Sequence, residues 1–451
     1  MKNTALFLFL AGLLLTLGCR KKPDEYNPTA ANPEAIRQAE RRLTEIIIHD
    51  IFSPPVASRI YAYSSLAAYE AMLPGSAQHR SLAGQLNGFS AGPQPESGRE
   101  YCYPLASVRA FLTVGRAMTF SADRLDEFEV RFYKNYQEAG VPSDVFERSM
   151  AYGEAVGKHV LAYSGKDNYK QTRGFKYTVT NENGQWVPTP PAYMDAVEPL
   201  WRNIRPFTLD SAAQFVPMRP PAFNPDKASP FQKELTQVYE TVKNLSEEQR
   251  EIANFWDCNP FKMNVQGHAM FATKKLSPGG HWMSIASLTT RAKKADFYQT
   301  VEAYTLTSLA LFDGFIACWD EKYRSCRVRP ESVINATLDR DWQPLLQTPP
   351  FPEYPSGHSV ISSSASLALT KLFGENVAFA DSSEVSYGLP VRNFPSFKAA
   401  AQEAAISRLY GGIHYASAID EGADQGRKVG AWVLSQVHTR KVEAPKTVAA
   451  K

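Results

Sequence analysis

Three short segments in the last third of the chain carry residue types that suit an oxyanion. Lys322 is followed after six residues by Arg329-Pro330, Pro355-Ser356-Gly357-His358 runs into a stretch of small residues, and Ser407-Arg408 is followed after five residues by His414. The planar fork of an arginine gives two parallel hydrogen bonds to a tetrahedral or trigonal oxyanion, and a lysine adds a point charge. Ser356 offers a hydroxyl donor, and Gly357 lets an anion come close to the unpaired backbone N–H groups of a helix start. Lys322, Arg329 and Arg408 together supply three positive charges. Two histidines flank the place where these groups would meet, and His358 at its edge can exchange a proton with whatever is bound. A phosphate, or a species shaped like one, fits that inventory. Each segment alone occurs in many unrelated chains; the three in this order are the signal.

The elements around these residues must bring them together. Residues 292–324 have helical periodicity, and a seven-residue step would place Arg329 on nearly the same face as Lys322. Pro330 stops that helix, so Arg329 is placed on a turn that folds back. A helix over 359–373 begins at the serine, glycine and histidine. Gly411-Gly412 ends a helix over 396–409 and turns the chain, so that Arg408 and His414 can face one cavity. Further helices are predicted at 35–73, interrupted by Pro54-Pro55, and at 105–120, 122–139, 143–164, 230–257 and 415–437. Residues 166–229 break the pattern. They are crowded with proline, yet Trp186, Tyr193, Trp201 and Phe207 predict an ordered wrap over a core, with a small hairpin turning at Asn183-Gly184. Strand signals are few. The fold class is all-α, a multi-helix bundle with long irregular connections.

Composition agrees with a large core: 44% of the 451 residues are apolar and 12% aromatic. Lys+Arg (49) nearly balance Asp+Glu (46), which argues against a nucleic-acid or acidic-lipid surface and makes any concentration of positive charge local. Residues 1–19 read as a secretory signal ending in a lipobox at Gly18-Cys19, with Cys19 lipidated and residues 20–32 a polar tether. The expectation is an exported lipoprotein facing the periplasm or cell surface, whose only membrane contact is the lipid on Cys19. Residues 33–229 then form an N-terminal helical region with its wrap, and residues 230–440 the region that carries the chemistry. Cys102, Cys258, Cys318 and Cys326 have no C-x-x-C spacing and read as buried thiols.

At its three segments the chain resembles the vanadium-dependent haloperoxidases and the type 2 phosphatidic acid phosphatases, whose shared signature is K-x6-RP, PSGH and SR-x5-H. The flanks Cys318-Trp319-Asp320-Glu321-Lys322-Tyr323, Thr348-Pro349-Pro350-Phe351-Pro352-Glu353-Tyr354 and Glu403-Ala404-Ala405-Ile406-Ser407-Arg408 are similar to those of vanadium chloroperoxidases. The resemblance extends over residues 254–437. It implies a pair of helical bundles with the site in the C-terminal one. It also implies His414 as the ligand of vanadate, or as the nucleophile of a phosphatase, and His358 as the acid–base residue. Lys322, Arg329, Ser356, Gly357 and Arg408 would hold the equatorial oxygens. Trp319 and Phe351 would line the halide pocket, with phenylalanine at 351 resembling the chloroperoxidases.

The implied cofactor is vanadate, with phosphate as its mimic, and the implied partners are peroxide and halide. A phosphatase acting on a small phosphomonoester and a non-catalytic oxyanion-binding lipoprotein are the alternatives. The last is motivated by a departure from the pattern: the family places Asp four residues after the second histidine, where this chain has Ala418. Asp420, six residues after His414, falls about 120° around a helix and does not substitute. A backbone carbonyl or another acid, Asp257 or Asp313, is then expected to orient His414, unless Asp257 pairs with Arg408. His268 and His281, in glycine-rich surroundings, are candidates for the border of the cavity. His49, His79, His159 and His438 read as structural or exposed.

Overall fold

The computed structural model describes Lys22 and residues 30–441; Cys19 and the lipobox lie outside the described residues. Pro54-Pro55 begin a helix as well as ending the one before. Ser53 accepts the Val56 N–H, and the two prolines occupy the first turn, where a missing N–H costs nothing. The periodic stretch over 35–73 is thus two helices, α1 (Glu34–His49) and α2 (Pro54–Met72). With α3 (Tyr103–Met118), α4 (Arg124–Glu138) and α5 (Ser143–Ser164) they make an N-terminal bundle, in which α3 packs on both α2 and α5. The predicted helix over 230–257 is split into α6 (Pro230–Lys243) and α7 (Glu247–Phe255) by Ser246, which exchanges capping hydrogen bonds with Gln249.

The second bundle consists of α8 (Pro278–Ala292), α9 (Phe297–Ser325), α11 (Gly357–Phe373), α12 (Phe397–Tyr410) and α13 (Ala416–Gln436), with the short α10 (Pro330–Thr337) between α9 and α11. Helix α8 was not expected, because it opens on Pro-Gly-Gly, which reads as a turn. Ser277 caps it by accepting the Gly280 N–H. Four single-turn 3-10 helices and two antiparallel hairpins complete the described elements, the hairpins pairing β1 (Met263–Gln266) with β2 (Ala269–Ala272) and β3 (Phe379–Asp381) with β4 (Arg392–Phe394). Helices dominate, as the periodicity requires.

Helix α9 belongs to both bundles. It packs on α2 on one side and on α11 and α13 on the other, and it is long and apolar enough to cross a membrane yet buried along its apolar length inside the fold. The main cluster of buried apolar residues draws on both bundles, from Ala30 to Val437, and two smaller clusters lie beside it, one around Phe231, Ile334 and Tyr415 and one around Ala253, Leu346 and Ile413. The segment that follows α13 also returns toward the first bundle, where the Arg80 N–H donates to the Thr439 carbonyl at 2.9 Å. In the wrap, Trp186, Trp201 and Phe207 are buried and Tyr193 is exposed. The expected hairpin at Asn183-Gly184 does not pair with itself. The Trp186 N–H donates to the Cys326 carbonyl and the Val328 N–H to the Gly184 carbonyl, because the extended residues leaving α9 offer a nearer partner.

Close packing of α13 on α11 sets the floor of the site. Gly422, Gly426 and Gly430 form a stripe at helical spacing. A Cβ on Gly426 would lie 2.1 Å from the Val360 carbonyl oxygen, and one on Gly422 2.9 Å from that of Ser356. At the same end the Ser356 N–H donates to the Ala418 carbonyl at 2.9 Å, which fixes the start of α11 against α13.

Candidate active site

Every residue of the three segments is delivered by a helix end. Cys326, in the left-handed region at φ 46°, closes α9 just after Lys322, and Arg329 is the residue from which α10 starts. Ser356 caps α11 by accepting the Ser359 N–H, which leaves its own proton to donate. The first amides of α11, on Gly357 and His358, have no partner within the helix. Helix α12 ends at Tyr410, two residues after Arg408, and Gly412 at φ 76° turns the chain so that His414 comes back toward it.

These ends surround one cavity of about 40 Å³, lined by Gly357, His358, Arg408, His414, Trp319, Phe351 and Asp257 among others. That is room for a few waters or one small oxyanion. Lys322, Arg329 and Ser356 stand directly behind its wall and are wholly buried. Lys322 Nζ donates to the carbonyls of Pro352, Glu353 and Pro355 at 3.0, 3.0 and 2.6 Å. Arg329 donates to the carbonyls of Phe351 and Ile413 and, through Nη1, lies 3.2 Å from His414 Nε2. Arg408 Nη2 donates to the Trp256 carbonyl at 2.6 Å. Of the five residues expected to converge, His358, Arg408 and His414 line the cavity, while Lys322 and Arg329 lie behind its wall with their donors on backbone carbonyls and, for Arg329, beside His414.

The group that orients His414 was missed. Glu353 Oε1 lies 2.8 Å from His414 Nδ1 and also accepts the Tyr415 N–H at 3.0 Å. A guanidinium can only donate and a carboxylate oxygen holding an N–H accepts, so the ring carries its proton on Nδ1 and its lone pair on Nε2. Glu353 thus fills the place left by Ala418. The other acids considered are occupied elsewhere. Asp313 accepts the N–H groups of Phe207 and Thr208 in the wrap, and Asp257 is paired with Lys275 at 2.8 Å and Lys262 at 3.3 Å. Asp257 remains a cavity-wall residue that helps keep Arg408 charged; its carboxylate is not the partner of His414. His268 sits exposed at the tip of the β1–β2 hairpin, and His281 is buried behind the cavity wall, stacked on Trp256 with centroids 4.5 Å apart.

Electrostatics mark the cavity as short of an anion. Burial pushes the Lys322 ammonium down to about 7 and the Arg329 and Arg408 guanidiniums down to about 10. Burial, and then Arg329, Lys322 and Arg408, hold His414 well below the ordinary histidine range. Burial and Arg408 do the same to His358. Glu353 is raised by burial, against the pull of Arg327, Arg329 and Lys322. Two buried atoms at this place have no hydrogen-bond partner among the described residues, Arg329 Nη2 and His358 Nε2. Buried groups of this kind are rarely left unpaired, and an oxyanion in the cavity would satisfy the guanidinium. The donor set and its orphaned nitrogen fit vanadate or phosphate. Beside the cations, Trp319 and Phe351 meet with centroids 5.0 Å apart, and Phe315 and Pro349 extend the apolar wall.

The family model for the VCPO second helical-bundle domain matches residues 302–442. No curated protein matches. Among solved structures, a bacterial vanadium-dependent iodoperoxidase is 48% identical, with a TM-score of 0.87 over 92% of this chain and 99% of the other. A bacterial vanadium-dependent chloroperoxidase in its holo form is 17% identical, with a TM-score of 0.65 over 86% of this chain and 93% of the other, a likeness of fold. On the first of these matches, the chain belongs to the vanadium-dependent haloperoxidases.

Proposed function

We propose that this protein oxidises halide with hydrogen peroxide in a vanadate-dependent reaction, and that iodide is its preferred halide. The observation that carries the reading is the cation-rich cavity with its unpartnered Arg329 nitrogen, in a chain nearly half identical to an iodoperoxidase. His414 Nε2, its lone pair turned inward by Glu353, is the residue that would hold vanadate, with Lys322, Arg329, Ser356, Gly357 and Arg408 around the oxygens. Vanadate so held supplies a Lewis acid that activates peroxide toward halide.

The protein's own groups do the rest. The three cations neutralise oxyanion charge in a water-poor site, where preorganised donors are worth most. His358 bonds the Trp256 backbone, and its Nε2 has no partner. It therefore stays neutral, with a lone pair toward the cavity, and can take a proton from peroxide and return it. The cavity wall of Trp319, Phe351, Phe315, Phe261 and Pro349 favours iodide, because the cost of desolvating an ion falls as its radius grows.

Purified protein loaded with orthovanadate should oxidise iodide in the presence of peroxide, faster than bromide or chloride, and lose this activity when vanadate is omitted. Vanadate-independent turnover would defeat the proposal; a preference for bromide would defeat its halide assignment. Neither a phosphatase nor a non-catalytic binder is favoured, and with Glu353 on His414 the absence of Asp at 418 no longer argues for lost chemistry. We propose further that Cys19 carries a lipid anchor in an exported protein. Thr16-Leu17-Gly18-Cys19 after an apolar run supports this, and metabolic labelling with a fatty acid should mark the wild type and not Cys19→Ser.

A further inference from the structure

Behind the wall of the cavity lies a second cluster that the oxidation chemistry does not use. His281 Nδ1 is 3.3 Å from Cys258 Sγ and 3.3 Å from Glu384 Oε1, and those two atoms are 3.9 Å apart. All three side chains are buried, at 0 to 3% exposure. On the far side of the ring, His281 Nε2 is 2.8 Å from Asp381 Oδ2, and Ser383 Oγ braces the same pair. A tetrahedral zinc with its usual bonds to sulfur, nitrogen and oxygen has ligand-to-ligand edges of about 3.3 to 3.6 Å. The triangle of Sγ, Nδ1 and Oε1 is close to one face of that tetrahedron. A carboxylate on the other ring nitrogen is how a metal-bound histidine is ordinarily held.

Charge points the same way. Two buried carboxylates and a thiol surround a single imidazole, which can supply at most one positive charge. A divalent cation with the thiolate, Glu384 and neutral His281 would leave the three-ligand set uncharged, with Asp381 accepting the ring N–H. We propose that Cys258, His281 and Glu384 bind a divalent cation of the zinc class, at a site separate from the oxyanion cavity. A thiolate, an imidazole and one carboxylate select a borderline-soft metal over calcium or magnesium. Cys258 also lines the cavity, which gives the ion a way in.

The cation would be structural, and three consecutive residues give its lever on the active site. The Trp256 carbonyl accepts from Arg408, Asp257 holds Lys262 and Lys275, and Cys258 would be the ligand. Fixing Cys258 to α8 and to the loop after β3 fixes the carbonyl that aims Arg408.

Elemental analysis of the vanadate-loaded enzyme, counting vanadium and other metals separately, should find one equivalent of a zinc-class metal per chain. Cys258→Ser and Glu384→Gln should reduce it at least tenfold. To separate loss of the metal from loss of the fold, chelator-treated wild type should also be titrated with cobalt(II). A thiolate-to-cobalt charge-transfer band saturating at one equivalent is expected, together with recovery of vanadate affinity, which metal removal should have lowered about 10- to 100-fold. No second metal in the enzyme and no thiolate band on cobalt titration would overturn the proposal. So would a band that persists in a folded Cys258→Ser.

Discussion

His414 and His281 are both buried imidazoles with a carboxylate oxygen 2.8 Å from one ring nitrogen, yet they stand at opposite ends of the charge scale. Burial works against the charged ring in each. At His414 the neighbours are Arg329, Lys322 and Arg408, which push further down. At His281 they are Asp381 and Cys258, which overcome burial and raise the ring well above its ordinary value. One hydrogen-bonded pair thus serves two ends, and the surplus charge around it decides the sign of the ligand. Cations left over make a place for an oxyanion, and acids left over make a place for a metal. Residues 256–258 are the partition between them.

The comparison breaks if the two histidines prove interchangeable in effect. The largest expected loss is at the anion side. His414→Ala should lower vanadate-dependent iodide oxidation by at least about 10³-fold with helicity unchanged, read as triiodide formation and circular dichroism. Next comes Ala418→Asp. Its side chain would enter a wholly buried position while Glu353 already holds Nδ1, so the variant should lose roughly 3 kcal/mol of stability and gain no vanadate affinity; tighter vanadate binding with an unchanged Tm would show that Glu353 is not the orienting group. Glu353→Gln should weaken vanadate binding about 10- to 100-fold, with kcat at saturating vanadate changed less than affinity.

The smallest effect is in protons. With the Lys322 ammonium brought down to about 7 by burial, the free site is mostly neutral there at pH 8 and mostly charged at pH 6. A bound anion restores the charge, so binding should take up part of a proton at pH 8 and less at pH 6, and should strengthen as pH falls. The sign for stability follows. In the absence of anion, the cost of Lys322 to the fold grows as pH falls from the ordinary lysine range toward about 7 and is constant below it, because within that window the unfolded lysine holds its proton and the folded one does not. Calorimetry in two buffers of different ionisation enthalpy, corrected for the ligand's own protonation, measures the uptake; none at pH 8 would mean that Lys322 stays charged without an anion.

Much of the anion side was legible in the residue order, because helix ends deliver it and helix ends leave signals: Pro330 after Arg329, Gly357 after Ser356, Gly411-Gly412 after Arg408. The orienting glutamate was not, since Glu353 lies between two prolines in an irregular segment and meets a histidine 61 residues later. The acid-rich side was less legible still. Cys258 and His281 are 23 residues apart and Glu384 is another 103 on, a spacing that matches no compact metal motif. His281 rides on a helix whose Pro-Gly-Gly start reads as a turn. The all-α class was visible from periodicity. That the main core spans both bundles was not, because a helix shared by two bundles has the same apolar run as one that serves a single bundle.

That shared spine has a mechanical consequence. A rod 29 residues long, packed against both halves of the molecule, resists their swinging apart, so the catalytic chamber should be assembled when the chain folds and not when reagents arrive. Small reactants should come and go through a standing doorway, and amide exchange along the spine should be as slow during turnover as at rest.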